Sequence, residues 1–248
     1  MATEDHIRNA RKRIILPLDG MDPVTALATA VALKDSVGLF KVGMELFFSE
    51  GGGHSIVRQL QDIAPEVGIM LDLKLHDIPA TMQGALKSVR VLKPRFLTVH
   101  ASSGVSHLAA CVDAAGPEIG ILGVTVLTSI NDKAYQESGG VGTIQDAVIA
   151  RALCVAVAKG AGIVCSPLEL AALSGVIDSD VYRVVPGVRP AWASANDQAR
   201  IMTPAEAIRA GASYLVIGRP ITKPPAAIGS PLAAARLIAE EISECLPV

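Results

Sequence analysis

Eight short β-rich runs alternate with segments of helical spacing along the whole chain, and this alternation constrains the fold more than any other feature. Strands are expected at Ile14–Asp19, Leu39–Gly43, Gly68–Leu75, Phe96–Ala101, Gly120–Leu127, Ile163–Ser166, Val181–Gly187 and Tyr214–Gly218. Between them lie helical patterns such as Val24, Leu27, Ala28 and Val31, which follow the start signal Asp22-Pro23. The strands are nearly continuous apolar runs, as a parallel sheet needs when helices cover one face and side chains fill the other. Eight such units in 248 residues match one closed (β/α)8 TIM barrel, so residues 1–248 are expected to form a single catalytic domain. A doubly wound open sheet would favour a glycine-rich dinucleotide turn after an early strand. Gly51-Gly52-Gly53, the sole glycine run, follows Phe47-Phe48 rather than a strand end and is expected to be a loop leading into a helix. Ser129–Gly142 is expected to be the longest irregular stretch, decorating the barrel mouth.

Composition narrows the function classes. Half the residues are hydrophobic, 19% are charged and 3% are aromatic, which suits close-packed helices around a sheet and argues against stacking on nucleic-acid bases. The net charge is −2, and the densest basic patch, Arg11-Lys12-Arg13, reads as a solvated strand entrance rather than a nucleic-acid contact. Cys111, Cys154, Cys165 and Cys245 lack C-x-x-C spacing, so reduced, buried thiols in a cytoplasmic protein are expected, with no metal cluster or disulfide framework. Residues 1–13 contain no apolar signal-peptide core, and no uninterrupted apolar stretch of membrane-spanning length is present.

Charge is concentrated where a barrel should be apolar, in Asp72-Leu73-Lys74-Leu75-His76-Asp77. Side chains of a barrel strand alternate between the interior and the helix layer. Leu71, Leu73 and Leu75 share the parity that suits the helix layer. Asp72 and Lys74 then point inward near the carboxyl end, with Asp77 just beyond the strand. Buried charges cost several kcal/mol each unless paired, so two carboxylates flanking an ammonium at a barrel mouth read better as a site than as structure. Other strands end in polar residues too: Asp19 on the first, Lys41 near the end of the second, His100 on the fourth and Thr128-Ser129 after the fifth. Taken alone, Asp19 and Lys41 could equally be solvated rim, and His100 a satisfied inward histidine. The seventh and eighth strands end in Gly187-Val188-Arg189 and Gly218-Arg219. Loops at those two ends are the habitual phosphate site of such barrels. Glycine allows close backbone approach there, and arginine can fork onto phosphate oxygens.

With these residues in view, the chain closely resembles the orotidine 5′-phosphate decarboxylase family. The matching blocks run in family order: Leu18-Asp19, Phe40 to Gly43, Asp72 to Pro79, Leu127-Thr128-Ser129, Pro186 to Arg189, Asp197-Gln198 and Ile217 to Thr222. The D-x-K-x-x-D core is shared with 3-keto-gulonate-6-phosphate decarboxylase and hexulose-phosphate synthase, whereas Leu-Thr-Ser with Arg189, Gln198 and Arg219 favours the orotidylate branch much more specifically. The resemblance implies cofactor-independent, metal-free decarboxylation of orotidine 5′-monophosphate (OMP) to uridine 5′-monophosphate (UMP), the last step of de novo UMP biosynthesis. It implies Lys74 as the proton donor to C6, Asp72 beside the substrate carboxylate, and Lys41 and Asp77 completing an alternating charged array. Asp19 and Lys41 would bind ribose hydroxyls, while Thr128 and Ser129 approach the pyrimidine. Gln198, Gly218 and Arg219 would hold the phosphate, with Arg189 at the same end. Residues matching Asp77, Ile78 and Thr81 reach across from a neighbouring subunit in this family, which implies a homodimer with shared sites.

Two positions depart from the family pattern: Ala80 stands where many members carry asparagine, and Lys223 to Ile228 lack the usual sequence. Both bear on loop contacts and not on the charged array. Two other readings stay open. A related phosphosugar barrel enzyme would be metal-dependent or would form a Schiff base on Lys74, and a non-catalytic nucleotide-binding barrel would have lost a charge from the array.

Overall fold

The computed structural model describes residues Glu4–Ala193 and Met202–Leu246. Eight parallel strands close into a barrel in sequence order: β1 (Ile14–Pro17), β2 (Leu39–Gly43), β3 (Gly68–Leu75), β4 (Phe96–His100), β5 (Gly120–Val124), β6 (Gly162–Val164), β7 (Tyr182–Pro186) and β8 (Tyr214–Val216), with β8 pairing to β1. The expected eight strands are all present, and six of them end one to three residues earlier than their apolar runs. The early ends have a common cause. Pairing stops when a neighbouring strand stops, but burial continues under the helices. Thr125 still donates its N–H to the Val164 carbonyl at 3.1 Å beyond the end of β5, and Leu18, Val126, Val188 and Ile217 are buried past their last paired residues.

The barrel interior is layered. At the amino-terminal end Phe96, Tyr182 and Tyr214 meet edge to face, with ring centroids 5.4–5.8 Å apart, and close the floor. Ile15, Leu39, Met70, Leu122 and Val184 form the apolar middle. The outer core, between strands and helices, takes the opposite strand parity, including Leu71 and Leu73. Apolar filling therefore ends one layer below the mouth, and charge begins there.

Local chemistry explains the helix starts. Asp22 caps the helix Pro23–Leu33, its carboxylate accepting the Thr25 N–H at 3.0 Å and the Thr25 hydroxyl at 2.7 Å. The buried face of that helix is Ala26, Ala30 and Leu33, whereas Val24 and Val31 are exposed. The valine spacing thus marked the helix but not its core face, because alanine lets the helix axis approach the barrel wall more closely. Gly53 opens the helix Gly53–Ile63, as expected of the glycine run. Ser129–Gly142 is not irregular throughout. Asn131 accepts the Ala134 N–H at 2.9 Å and nucleates a short helix, Asp132–Glu137. All four cysteines are free, but Cys154 and Cys245 are only half-buried, contrary to the expectation that all are buried. No helix among the described residues is long and apolar enough to cross a membrane.

Candidate active site

Four charges alternate in sign across the carboxyl ends of the first three strands. Asp19, just beyond β1, forms an ion pair with Lys41 of β2. Lys41 Nζ also lies 3.0 Å from Asp72 Oδ2, and Lys74 Nζ lies 2.9 Å from Asp72 Oδ1. Lys41 and Asp72 are each only 8% exposed, so each charge is stabilised mainly by its neighbours rather than by water. Burial opposes ionisation of both groups, but the partners outweigh it. Asp72 and Asp19 hold Lys41 above its ordinary value, and Lys41 and Lys74 hold the Asp72 carboxyl below its own. Lys41 and Asp72 are therefore both ionised at neutral pH. Gly43 makes room for it, since a Cβ at that position would overlap the Asp19 carboxylate.

Regular strand alternation does not carry Lys74 to its place. Lys74 has φ +48°, in the left-handed region that costs a non-glycine residue about 1–2 kcal/mol. The strain accompanies a register shift: Leu71 pairs with Leu97 and Leu75 with Val99, so Asp72, Leu73 and Lys74 together face Thr98 alone. Thr98 is completely buried. Its hydroxyl accepts the Lys74 N–H at 2.9 Å and donates to Asp72 Oδ1 at 3.0 Å. Sequence alone does not single out Thr98. The available signal was its parity, because it lies between Phe96 and His100 on the inward face of an apolar strand.

The remaining expected site residues lie around the same rim. His100 ends β4 half-buried, its ring centroid 5.2 Å from that of His76. Burial, followed by the charges of His76, Lys74 and Arg151, pushes the His100 imidazole below its ordinary value, so it is neutral at pH 7. Thr128 and Ser129 are exposed in the turn after β5. Thr128 lines a cleft of about 730 Å³ that reaches Ser166, Glu169 and Gly187. Glu169 is pushed up to about 7 by burial, with the Ser166 N–H opposing. Gly187 has φ +78°, and Arg189 behind it is buried, with its N–H bonded to the Met202 carbonyl at 3.0 Å. Gly218 precedes the short helix Arg219–Thr222, and a Cβ there would come within 2.9 Å of Pro17, so the close approach of β8 to β1 requires glycine. Arg219 is exposed at the start of that turn. Gln198 and Asp197 lie outside the described residues.

Asp77, Ile78 and Thr81 are not drawn into this array within the chain. Asp77 is exposed and accepts the adjacent Ile78 N–H at 2.6 Å, Ile78 is 63% exposed, and Thr81 is exposed on the first turn of the helix Pro79–Val89. Among the described residues, no cluster of three or more histidine, cysteine or acidic side chains has a geometry that could hold a metal ion.

Residues 12–236 match the model of the Orotidine 5′-phosphate decarboxylase / HUMPS family. The chain is 45% identical over 231 residues to an orotidine 5′-phosphate decarboxylase of Thermobifida fusca, covering 93% of this chain and 96% of that protein. It is also 45% identical over 228 residues to one from Anaeromyxobacter dehalogenans, covering 92% and 97%. Among solved structures, orotidine 5′-phosphate decarboxylase from Lactobacillus acidophilus is similar at 31% identity with a TM-score of 0.76, covering 92% of this chain and 98% of that one.

Proposed function

The chain belongs to the Orotidine 5′-phosphate decarboxylase / HUMPS family, and from that premise we propose that it converts OMP to UMP and carbon dioxide by the charged array at its barrel mouth. The observation that carries this reading is the alternating series Asp19, Lys41, Asp72, Lys74, with its two central members buried. The bond from C6 to the carboxylate breaks heterolytically, carbon dioxide leaves, and the electron pair stays on C6 in a vinyl-type orbital with no electron sink. Lys74 donates an ammonium proton to that carbon, and the neutral amine regains a proton from solvent. An ammonium held 2.9 Å from Asp72 stabilises the developing carbanion with little reorganisation. Asp72 stands beside the departing carboxylate, and its charge also disfavours the bound ground state. This chemistry needs no metal and no cofactor.

Asp19 and Lys41 bind ribose hydroxyls in this reading, and Thr128 and Ser129 approach the pyrimidine. Arg189, Gly218 and Arg219 hold the phosphate together with Gln198. Phosphate binding far from the scissile bond can be used to close loops and raise the rate, rather than only to tighten binding. Asp77, Ile78 and Thr81 serve the neighbouring protomer's site in a homodimer. That assignment is supported by their exposure and by the apolar residues Met44 and Phe48, 48% and 74% exposed after the adjacent strand β2. A cytoplasmic location suits four free cysteines. The related phosphosugar chemistries are disfavoured by the 45% identity to orotidine 5′-phosphate decarboxylases across nearly the whole chain. The test is a spectrophotometric assay of OMP loss with a chelator present, on wild type and Lys74→Ala. Turnover should survive the chelator and vanish in a folded Lys74→Ala. Complete loss with chelator, or wild-type turnover in the variant, overturns the mechanism.

A further inference from the structure

We infer that Thr98 is a positioning residue for the reaction, acting through both Asp72 and Lys74 without touching substrate. The inference rests on the reading of Lys74 as proton donor. Three residues of β3 face Thr98 alone on β4, so the ordinary strand ladder cannot supply a backbone partner for every group in that stretch. The Thr98 side chain fills the gap. Its oxygen accepts the Lys74 N–H at 2.9 Å, which holds the backbone at φ +48°. Its proton goes to Asp72 Oδ1 at 3.0 Å, the same oxygen that lies 2.9 Å from Lys74 Nζ.

One hydroxyl therefore orients the backbone and the counter-ion of the same lysine. Only a group that donates and accepts at once can do both. A valine has the same shape but neither capacity, and it would leave the part-buried Lys74 N–H without its partner. The bulge would then relax, and the ammonium would move relative to C6. Ground-state binding would change little, because the ribose and phosphate contacts assigned above lie on other strands. Misplacement of a reacting group by about 1 Å can cost roughly a hundredfold in rate.

The experiment compares Thr98→Val, Thr98→Ser and Lys74→Ala with wild type in the same OMP assay, with KM and kcat separated and thermal midpoints recorded. Thr98→Val should lose about 10- to 100-fold in kcat with KM within about threefold of wild type. Thr98→Ser should recover most of that loss. If Thr98→Val does not fold, Thr98→Ala against Thr98→Ser gives the same comparison between variants with and without the hydroxyl. Equal kcat in Thr98→Val and wild type overturns the inference, as does equal loss in the serine and valine variants, which would assign the effect to the lost methyl or to packing. A loss appearing only in KM overturns it too. Lys74→Ala separates the two claims. Full turnover there sinks the proton-donor reading itself, whereas a dead Lys74→Ala beside an unimpaired Thr98→Val sinks only the role of Thr98.

Discussion

Replacing Asp72 by asparagine removes the central charge of the array and keeps its shape. In the wild type the carboxylate has ammonium groups at 3.0 Å (Lys41) and 2.9 Å (Lys74) and the Thr98 hydroxyl at 3.0 Å. At an effective dielectric constant of about 20, each ion pair at this separation has a Coulomb energy of about 5 kcal/mol, against which burial of the charges costs several kcal/mol. The asparagine oxygen can keep one of these partners, but its amide then faces the other ammonium. Deleting one member of a buried ionic set typically costs about 3–5 kcal/mol, and Asp19 remains to compensate Lys41. The lower end, about 3 kcal/mol, is therefore expected. For a chain of this length that lowers Tm by roughly 6–12 °C.

The pH dependence follows from the sign of the shift. The folded-state Asp72 carboxyl titrates below its ordinary value of 3.8, so its stabilisation is fully present above that pH and is lost as pH falls through the lowered value. The difference between Asp72→Asn and wild type should accordingly hold from pH 8 to pH 5 and shrink only in stronger acid. Thermal unfolding followed by circular dichroism across that range measures it, and the OMP assay should find turnover abolished. A Tm within about 1 °C of wild type at pH 7 would refute the claim that the alternating array is net stabilising. A difference that vanished already at pH 5 would refute its assignment to the depressed carboxyl.

Three further outcomes are expected. Lys74→Gly and Lys74→Ala should both be inactive, but the glycine variant should be more stable by about 1 kcal/mol because it relieves the left-handed backbone; denaturant titration decides, and a less stable glycine variant removes the strain argument. Glu169→Gln should raise Tm at pH 8 by about 2–4 °C, the equivalent of about 1 kcal/mol after allowing for partial exposure, and change it little at pH 4.5. The folded acid holds its proton up to about 7, so its contribution to stability declines as pH rises from its ordinary value toward 7; equal shifts at both pH values contradict this. Arg219→Ala should lower kcat/KM for OMP by one to two orders of magnitude by removing a charged phosphate contact, and an unchanged kcat/KM removes Arg219 from that role.

The barrel was legible because its cause is local. Apolar runs of strand length, separated by capped helical segments such as the one opened by Asp22-Pro23, bury both faces in a parallel sheet covered by helices, and eight such units without a dinucleotide turn favour the closed form. Parity within one strand was enough to turn Asp72 inward, and the cost of burying it marked the segment Asp72–Asp77 as functional. The conformation of Lys74 was beyond local reading. Alternation predicts an inward lysine in ordinary strand geometry, whereas the chain has a left-handed residue set by a register shift against a strand more than twenty residues away. Thr98 is silent in the sequence for the same reason, since a threonine in an apolar strand has the expected β propensity and acquires its two polar partners only when β3 bulges against it. The burial of alanines rather than valines on the helix Pro23–Leu33 was likewise a matter of how closely that helix meets the barrel. Sequence by itself determined which residues are charged and on which strand face they begin. The tertiary structure decided which charges meet, because a pair 2.9 Å apart depends on the register between strands, and register is a property of the closed barrel rather than of any one segment.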